Sequence, residues 1–433
     1  MILKALPVVM VPYLICSRLS RLILGIHDAD PEAKFGGPGA SCRQNGFSKL
    51  CWGLLSHVTG GKNYFTGQNT TRLDFFSFHR KGGKRGQPGF ANELFIEELH
   101  TINYLRENYP SLINVTIYND EADPVTGWDD PRSFRSDTRY PAMVLKLLGS
   151  HLTGGHDQLT NFRMLSNDNA FLSFTPNYFT QRTMFARFQV NDTSEPFSVL
   201  IRKPIYEGLA MMSQMRGAFQ ILPSSFNGII ASQTNDLTCI TIWTGNDTSV
   251  YAGGPVEIVL QYPPNLIGSW YTIRRISDKL TTTNIWESLG SPGNLTQSDI
   301  EKLFNLNPIE ATTPQKLTSS TLHIFLPVPS VNQFMFCTHD SNSNAPNDPQ
   351  FLNITLNAVL ITWADQEVDD CFFSYELEFR KTSSESFASV TRGVILTRAY
   401  QFSRSDGVIG QYRVRSRTLA NSYSAYSQIA EYN

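Results

Sequence analysis

Three acids within four positions, Asp120, Glu121 and Asp123, are the residues of this chain best suited to chemistry. They close the stretch Val115-Thr-Ile-Tyr-Asn-Asp-Glu-Ala-Asp-Pro124. Its first half reads as a short buried strand, because Val115, Ile117 and Tyr118 are β-branched or aromatic and flanked by polar breakers. Pro124 stops it. A buried parallel strand that ends in carboxylates aims them into the crevice at the sheet's carboxyl edge, where a carboxylate can act as nucleophile or as acid and base. The competing reading is a solvated turn, since Asp and Pro are ordinary loop formers.

The elements around this stretch alternate strand and helix. Lys34 to Gly39 is a short strand closing in a Gly/Pro turn, and Leu73 to His79 is a second strand with polar residues at its exit. Phe95, Leu99, Ile102, Leu105 and Tyr109 fall at helical spacing, and Pro110 ends that face. After the Glu121 strand, Ala142 to Leu148 reads as a helix, Met164 to Phe171 as a fourth strand and Ile205 to Met215 as a closing helix. Repeated β-then-α units predict a parallel sheet with helices outside. Four such units do not close an eight-stranded barrel. Beyond about Arg216 helical periodicity stops. The runs at Cys239–Trp243, Val256–Tyr262, Trp270–Arg274, Leu322–Leu326 and Phe334–Cys337 predict an antiparallel sandwich. After a Ser/Asn/Pro linker near 341–349, the runs at Leu360, Tyr375 and Tyr412 look like strands of a fibronectin type III module.

Composition narrows the classes. With 433 residues, 41% hydrophobic and 12% aromatic, the chain suits several core-forming domains. A net charge of -2 supplies no bulk basic field for nucleic acid. Six Asn-X-Ser/Thr sequons, at Asn69, Asn114, Asn191, Asn246, Asn294 and Asn353, favour the secretory route. Ile2 to Ile15 has the length of a signal-peptide core and is too short to span a bilayer; a buried helix and an artefactual start are the rival readings. Of six cysteines, Cys337 ends one strand-like run and Cys371 opens another, so the two are placed to pair. That bond would close a loop of about 35 residues, worth roughly 3–4 kcal/mol in the chain-entropy treatment. Cys42 and Cys51 form a possible local loop. No cysteine spacing resembles a zinc site, and neither metal nor cofactor is expected.

At Tyr118-Asn-Asp-Glu-Ala-Asp-Pro124 the chain resembles the α-L-iduronidases of glycoside hydrolase family 39. The likeness recurs, in order, at Trp52-Gly-Leu-Leu, Asn63-Tyr-Phe-Thr-Gly67, Ser77-Phe-His-Arg-Lys-Gly82, Leu165-Ser-Asn-Asp-Asn-Ala-Phe171, Gln181-Arg-Thr183, Arg187-Phe-Gln-Val-Asn191 and Tyr412-Arg-Val-Arg415. It implies an eight-stranded (β/α)8 barrel, a β-sandwich and a fibronectin III-like module. Residues 1–26, read as an apolar leader, fall outside the likeness; the division is then 27–215 as a partial barrel, 216–340 as the sandwich and 341–433 as the last module. The implied chemistry is retaining cleavage of terminal α-L-iduronic acid from the non-reducing ends of dermatan and heparan sulfate, in a lysosomal or secreted glycoprotein. By this resemblance Glu121 is the nucleophile, at the seventh strand position. Lys81, Arg182 and the backbone of Gly127 hold the uronate carboxylate, Asp168 binds sugar hydroxyls and His79 lines the pocket. The family's acid/base glutamate stands in an Asn-Glu-Pro motif, and these 433 residues contain none; Asn92-Glu93 lies in a helical segment. The chain therefore resembles the C-terminal part of an iduronidase. Two rival readings stand beside it, a non-catalytic carbohydrate-binding or interaction protein and a β-xylosidase.

Overall fold

The computed structural model describes residues 28–44, 48–63, 66–69, 71–82, 91–125, 130–153, 159–167, 176–190, 197–220, 228–245, 253–304, 306–339, 344–355, 357–365, 370–391 and 393–433. The leader expected at 1–26 lies outside them. The chain divides into two compact units, Met1–Gly127 with Ser150–Asn169, and Trp128–Gly149 with Ala170–Asn433.

In the first unit, β1 (Gly36–Ala40), β2 (Phe75–Phe78), β3 (Thr116–Ala122) and β4 (Phe162–Asn167) form a parallel sheet in chain order. Helix α1 (Lys49–Gly60) follows β1 and α2 (Ala91–Asn108) follows β2, whereas α3 (Arg139–Thr153), next after β3 in the chain, belongs to the second unit up to Gly149. The crossovers exist because Trp52, Leu55, Ile102 and Leu105 must leave water, and they do so against Phe76, Phe78 and Ile117 of the sheet. Burying each such side chain contributes about 1.5–3 kcal/mol. A disulfide from Cys42 to Cys51 ties the exit of β1 to α1. The buried face of α2 includes Glu98, which no apolar pattern shows. Its carboxylate is satisfied by Asn119 Nδ2 at 2.5 Å and by the ring of His151.

The second unit is mostly β. A hairpin pairs β5 (Phe185–Val190) with β6 (Phe197–Arg202), and α4 (Pro204–Met212) follows. Next come β7 (Ala218–Gln220), β8 (Ile229–Gln233), β9 (Leu237–Thr244), β10 (Val256–Gln261) and β11 (Trp270–Ser277). Two helices then interrupt the strands, α5 (Thr282–Ser288) and α6 (Gln297–Phe304), correcting the expectation that helices end near Arg216. Both are under ten residues, too short for a periodic pattern to stand out. The start of α6 was legible nonetheless: Thr296 and Asp299 bond each other's backbone N–H reciprocally. After β12 (Glu310–Ala311), β13 (Gln315–Lys316), β14 (Thr321–Leu326) and β15 (Ser330–Cys337), a seven-stranded sheet is complete, ordered β12-β11-β15-β9-β8-β7 with β13 also on β11. The antiparallel pair β10–β14 packs Leu260 and Leu326 against Ile240, Phe334 and Phe336 of that sheet.

The remaining strands are β16 (Gln350–Thr355), β17 (Ala358–Thr362), β18 (Phe372–Arg380), β19 (Ala388–Ser389), β20 (Ala399–Ser403), β21 (Gly410–Thr418) and β22 (Ala430–Tyr432). They form a three-stranded sheet β16-β17-β20 and a four-stranded sheet β19-β18-β21-β22. Phe351, Phe379, Phe402 and Tyr412 pack as an aromatic cluster among these strands. The buried Tyr412 hydroxyl donates back to the carbonyl of Val408. On β21, Arg413 and Arg415 stack on Tyr426 and pair with Glu378 and Glu376 of β18.

Candidate active site

Parallel pairing puts the exits of β1, β2 and β3 at one edge of the first unit, so the residues following Ala40 and Phe78 meet the acids of β3 there. Lys81 forms a parallel bridge with Asp123, and Gly82 N–H donates to the Asp123 carbonyl at 2.9 Å. The Asp123 carboxylate is buried and accepts from Val125 N–H at 2.8 Å, which makes it a turn-former rather than a reacting group. The three acids read together in the sequence thus separate into different tasks.

Glu121 carries the electrostatic centre. Lys81 Nζ stands 2.7 Å from its Oε2, and His79 Nδ1 stands 2.8 Å from the same oxygen. The Lys81 side chain is 12% exposed and that of Glu121 25%, so the pair is shielded yet reachable from solvent. The other ring nitrogen of His79 lies 3.4 Å from Asp120 Oδ1. One imidazole therefore bridges two consecutive carboxylates.

Strict alternation along a strand would send Asp120 and Glu121 to opposite faces. A bulge prevents this. Asn119 pairs with Leu165 and Ala122 with Asn167, so β3 spends three steps where β4 spends two. The extra residue breaks the pleat and re-aims a side chain, a known use of bulges beside reactive sites. β1 carries a second irregularity, with Pro38 opposite Ser77 and Ala40 opposite Phe78. The extra residue there is Gly39, at φ +58, in the left-handed region that favours glycine. A Cβ on Gly39 would sit 3.5 Å from Asp120 Oδ2 and 3.6 Å from His79 Nε2, ordinary contact distances, so the backbone conformation rather than space asks for glycine here.

The residues between these groups hold them in place. Asn119 is wholly buried; its Oδ1 accepts from Arg80 N–H at 3.1 Å and its Nδ2 donates to Arg80 O at 3.0 Å, fixing the backbone between His79 and Lys81. The buried Arg80 side chain turns the other way, donating to Thr101 Oγ1 and Cys42 O and pairing with Glu97. Burial depresses the Arg80 guanidinium below its usual range, against the opposing pull of Glu97.

The structure brings His79, Lys81 and Glu121 together at one edge. Arg182 lies in the second unit, 1% exposed, on the segment that leads into β5. Gly127 and Asp168 lie outside the described residues, as do Asn191 and Asn246. The sequons at Asn69, Asn114, Asn294 and Asn353 are exposed. Cys337 and Cys371 are joined. Sequence reasoning passed over Gly39 and Asn119; the Gly-Gly-Pro-Gly run before the turn was the available signal for the first, and the second left none.

Residues 19–321 match the family model described as glycosyl hydrolases family 39, and residues 348–433 match the alpha-L-iduronidase C-terminal domain. The chain belongs to glycosyl hydrolase family 39. Alpha-L-iduronidase of Mus musculus is 31% identical over 422 residues, covering 90% of this chain and 66% of that relative. The Canis lupus familiaris protein of the same name is 30% identical over 423 residues, covering 90% and 63%. The chain thus spans under two thirds of the length of these curated relatives. A solved bacterial orthologue of human α-L-iduronidase superposes with a TM-score of 0.77 at 20% identity, covering 96% of this chain and 73% of that one. What the two share is the fold.

Proposed function

We propose that the edge built by His79, Lys81 and Glu121 is the nucleophile side of a retaining glycosidase acting on terminal α-L-iduronic acid in dermatan or heparan sulfate. The observation that carries this reading is the Glu121 carboxylate, held at Oε2 by an ammonium and an imidazole at the carboxyl edge of a parallel sheet. Two cationic or protic partners on one oxygen fix the orientation of the carboxylate. Attack on the anomeric carbon forms a glycosyl-enzyme ester as the leaving oxygen departs, and water later hydrolyses that ester. An acidic sugar needs fixed positive charge for recognition, and charge-assisted contacts are the strong ones. Lys81 carries three N–H donors, so it can hold Glu121 and face a uronate together. By the family resemblance, Gly127 and Asp168 are further proposed substrate contacts.

In this reading the four-stranded parallel sheet is the C-terminal half of a (β/α)8 barrel within 27–215. Residues 216–340 are a β-sandwich, and 341–433 a fibronectin III-like module. The Tyr412 hydroxyl bond to Val408 O supports the last assignment, since such a tyrosine corner marks sandwich modules of that kind. Exposed sequons favour a lysosomal or secreted glycoprotein, and no helix among the described residues is long and apolar enough to cross a membrane.

The 433 residues contain no Asn-Glu-Pro acid/base motif to protonate a leaving oxygen, so the proposal for this chain is attack by Glu121 on a donor whose leaving group needs no acid. A glycosyl fluoride tests it, because fluoride leaves without needing a strong acid. Incubation with a fluorinated iduronosyl fluoride should add one sugar to Glu121, located by peptide mass spectrometry, and Glu121→Gln should abolish it. The absent motif also favours a second reading, a carbohydrate-binding protein without turnover. Binding of dermatan sulfate with no labelling of Glu121 would establish that one instead.

A further inference from the structure

A second cluster of chemically able side chains lies far along the chain from Glu121, where the end of β15 meets the start of β18. His339 Nδ1 stands 3.9 Å from Cys337 Sγ and 3.7 Å from Cys371 Sγ. The same nitrogen lies 3.4 Å from Asp236 Oδ1, on the turn between β8 and β9. Thr338 N–H donates to Asp236 O at 3.0 Å, which fixes that turn against the strand end. Both sulfurs are buried and belong to the disulfide, whereas His339 and Asp236 face solvent. From these distances we infer that reduction of Cys337–Cys371 converts this staple into a zinc site of two thiolates and one imidazole, those of Cys337, Cys371 and His339.

The ligand spacings carry the inference. Zinc takes sulfur at about 2.3 Å and imidazole nitrogen at about 2.0–2.1 Å in tetrahedral geometry, which sets S···N near about 3.6 Å. The observed S···N separations of 3.7 and 3.9 Å already lie near that value. Only the sulfurs must move apart, from bonding distance to about 3.8 Å. Their Cα atoms are 5.6 Å apart, so rotation of the two side chains suffices. The chemistry balances. A dithiol reductant gives two electrons and two protons to the bond and becomes a disulfide itself, and Zn2+ then displaces the two thiol protons. The link between β15 and β18 persists in either state, as a covalent bond or as a metal bridge.

The test uses the full chain with Co2+ as a spectroscopic probe for zinc. Reduced with a phosphine, the chain should bind one Co2+ with thiolate-to-metal and tetrahedral d–d absorption, and the oxidised chain should show neither. His339→Ala leaves both sulfurs in place and should weaken binding by at least about tenfold, the low end of what losing even an outer partner costs. Zn2+, and not Mg2+, should raise the melting temperature of the reduced wild type and leave that of reduced His339→Ala unchanged. Equal cobalt uptake by both proteins would place the metal on other thiols, Cys42 and Cys51 included, and overturn the proposal. So would the absence of tetrahedral bands, or a reduced chain that loses its circular dichroism and does not regain it with zinc.

Discussion

Replacing Lys81 by Met removes the ammonium while keeping most of the side chain's length, and it isolates what that charge does for Glu121. The N···O separation is 2.7 Å, with side chains 12% and 25% exposed. Exposed pairs are worth about 0–1 kcal/mol, and breaking a buried pair costs about 3–5 kcal/mol. A pair with this much shielding sits between, at about 2 kcal/mol, or roughly a 30-fold rate effect. The assay is the rate of Glu121 labelling by the iduronosyl fluoride, read by intact mass and compared with a xylosyl fluoride, which has no carboxylate. If Lys81 serves both Glu121 and the uronate, Lys81→Met slows both donors and slows the iduronosyl donor more. Labelling by iduronosyl fluoride at the wild-type rate would refute the reasoning, and so would label found on Asp120 instead of Glu121. A larger loss with the xylosyl donor would remove the uronate role and favour the β-xylosidase reading.

Asp120→Asn weakens a 3.4 Å contact to His79 and should slow labelling by about fivefold, near the 1 kcal/mol of an ordinary hydrogen bond, while the label stays on Glu121. Tyr412→Phe deletes the donor to Val408 O and should cost about 1–2 kcal/mol, seen as a lower denaturant midpoint with unchanged labelling. Glu207, buried in α4, has its carboxyl pushed above the usual value of 4.5 by burial, with Arg202 pulling the other way. An acid raised on folding favours its protonated form in the native state. Its stabilising contribution is full below the unfolded value and lost as pH rises through the folded one. The melting temperature of Glu207→Gln relative to wild type should therefore be higher near pH 7 than near pH 4; a gap that does not change with pH would contradict this. Replacing Cys42 and Cys51 together by Ser opens a loop of nine residues' separation and should cost about 2–3 kcal/mol in a chemical melt.

Much of the first unit was legible because its signals are local. Alternation and β-branching marked β2 and β3, helical spacing marked α2, and both His79 and Lys81 sit just past a strand whose end composition announces. Cysteines at the ends of apolar runs named the pair 337–371. Tertiary structure alone decided three things. Strand pairing set the bulge that turns Asp120 and Glu121 onto one imidazole, since a one-residue slip in register is invisible to the period-two pattern of a single strand. Packing placed Glu98 inside the helix–sheet layer, because Asn119 and His151 satisfy it there, and no hydropathy pattern reports a partner. The gathering of Asp236, Cys337, His339 and Cys371 draws on three chain segments. Their spacing in sequence carries no metal signature, and only the crossing of β9, β15 and β18 makes them neighbours.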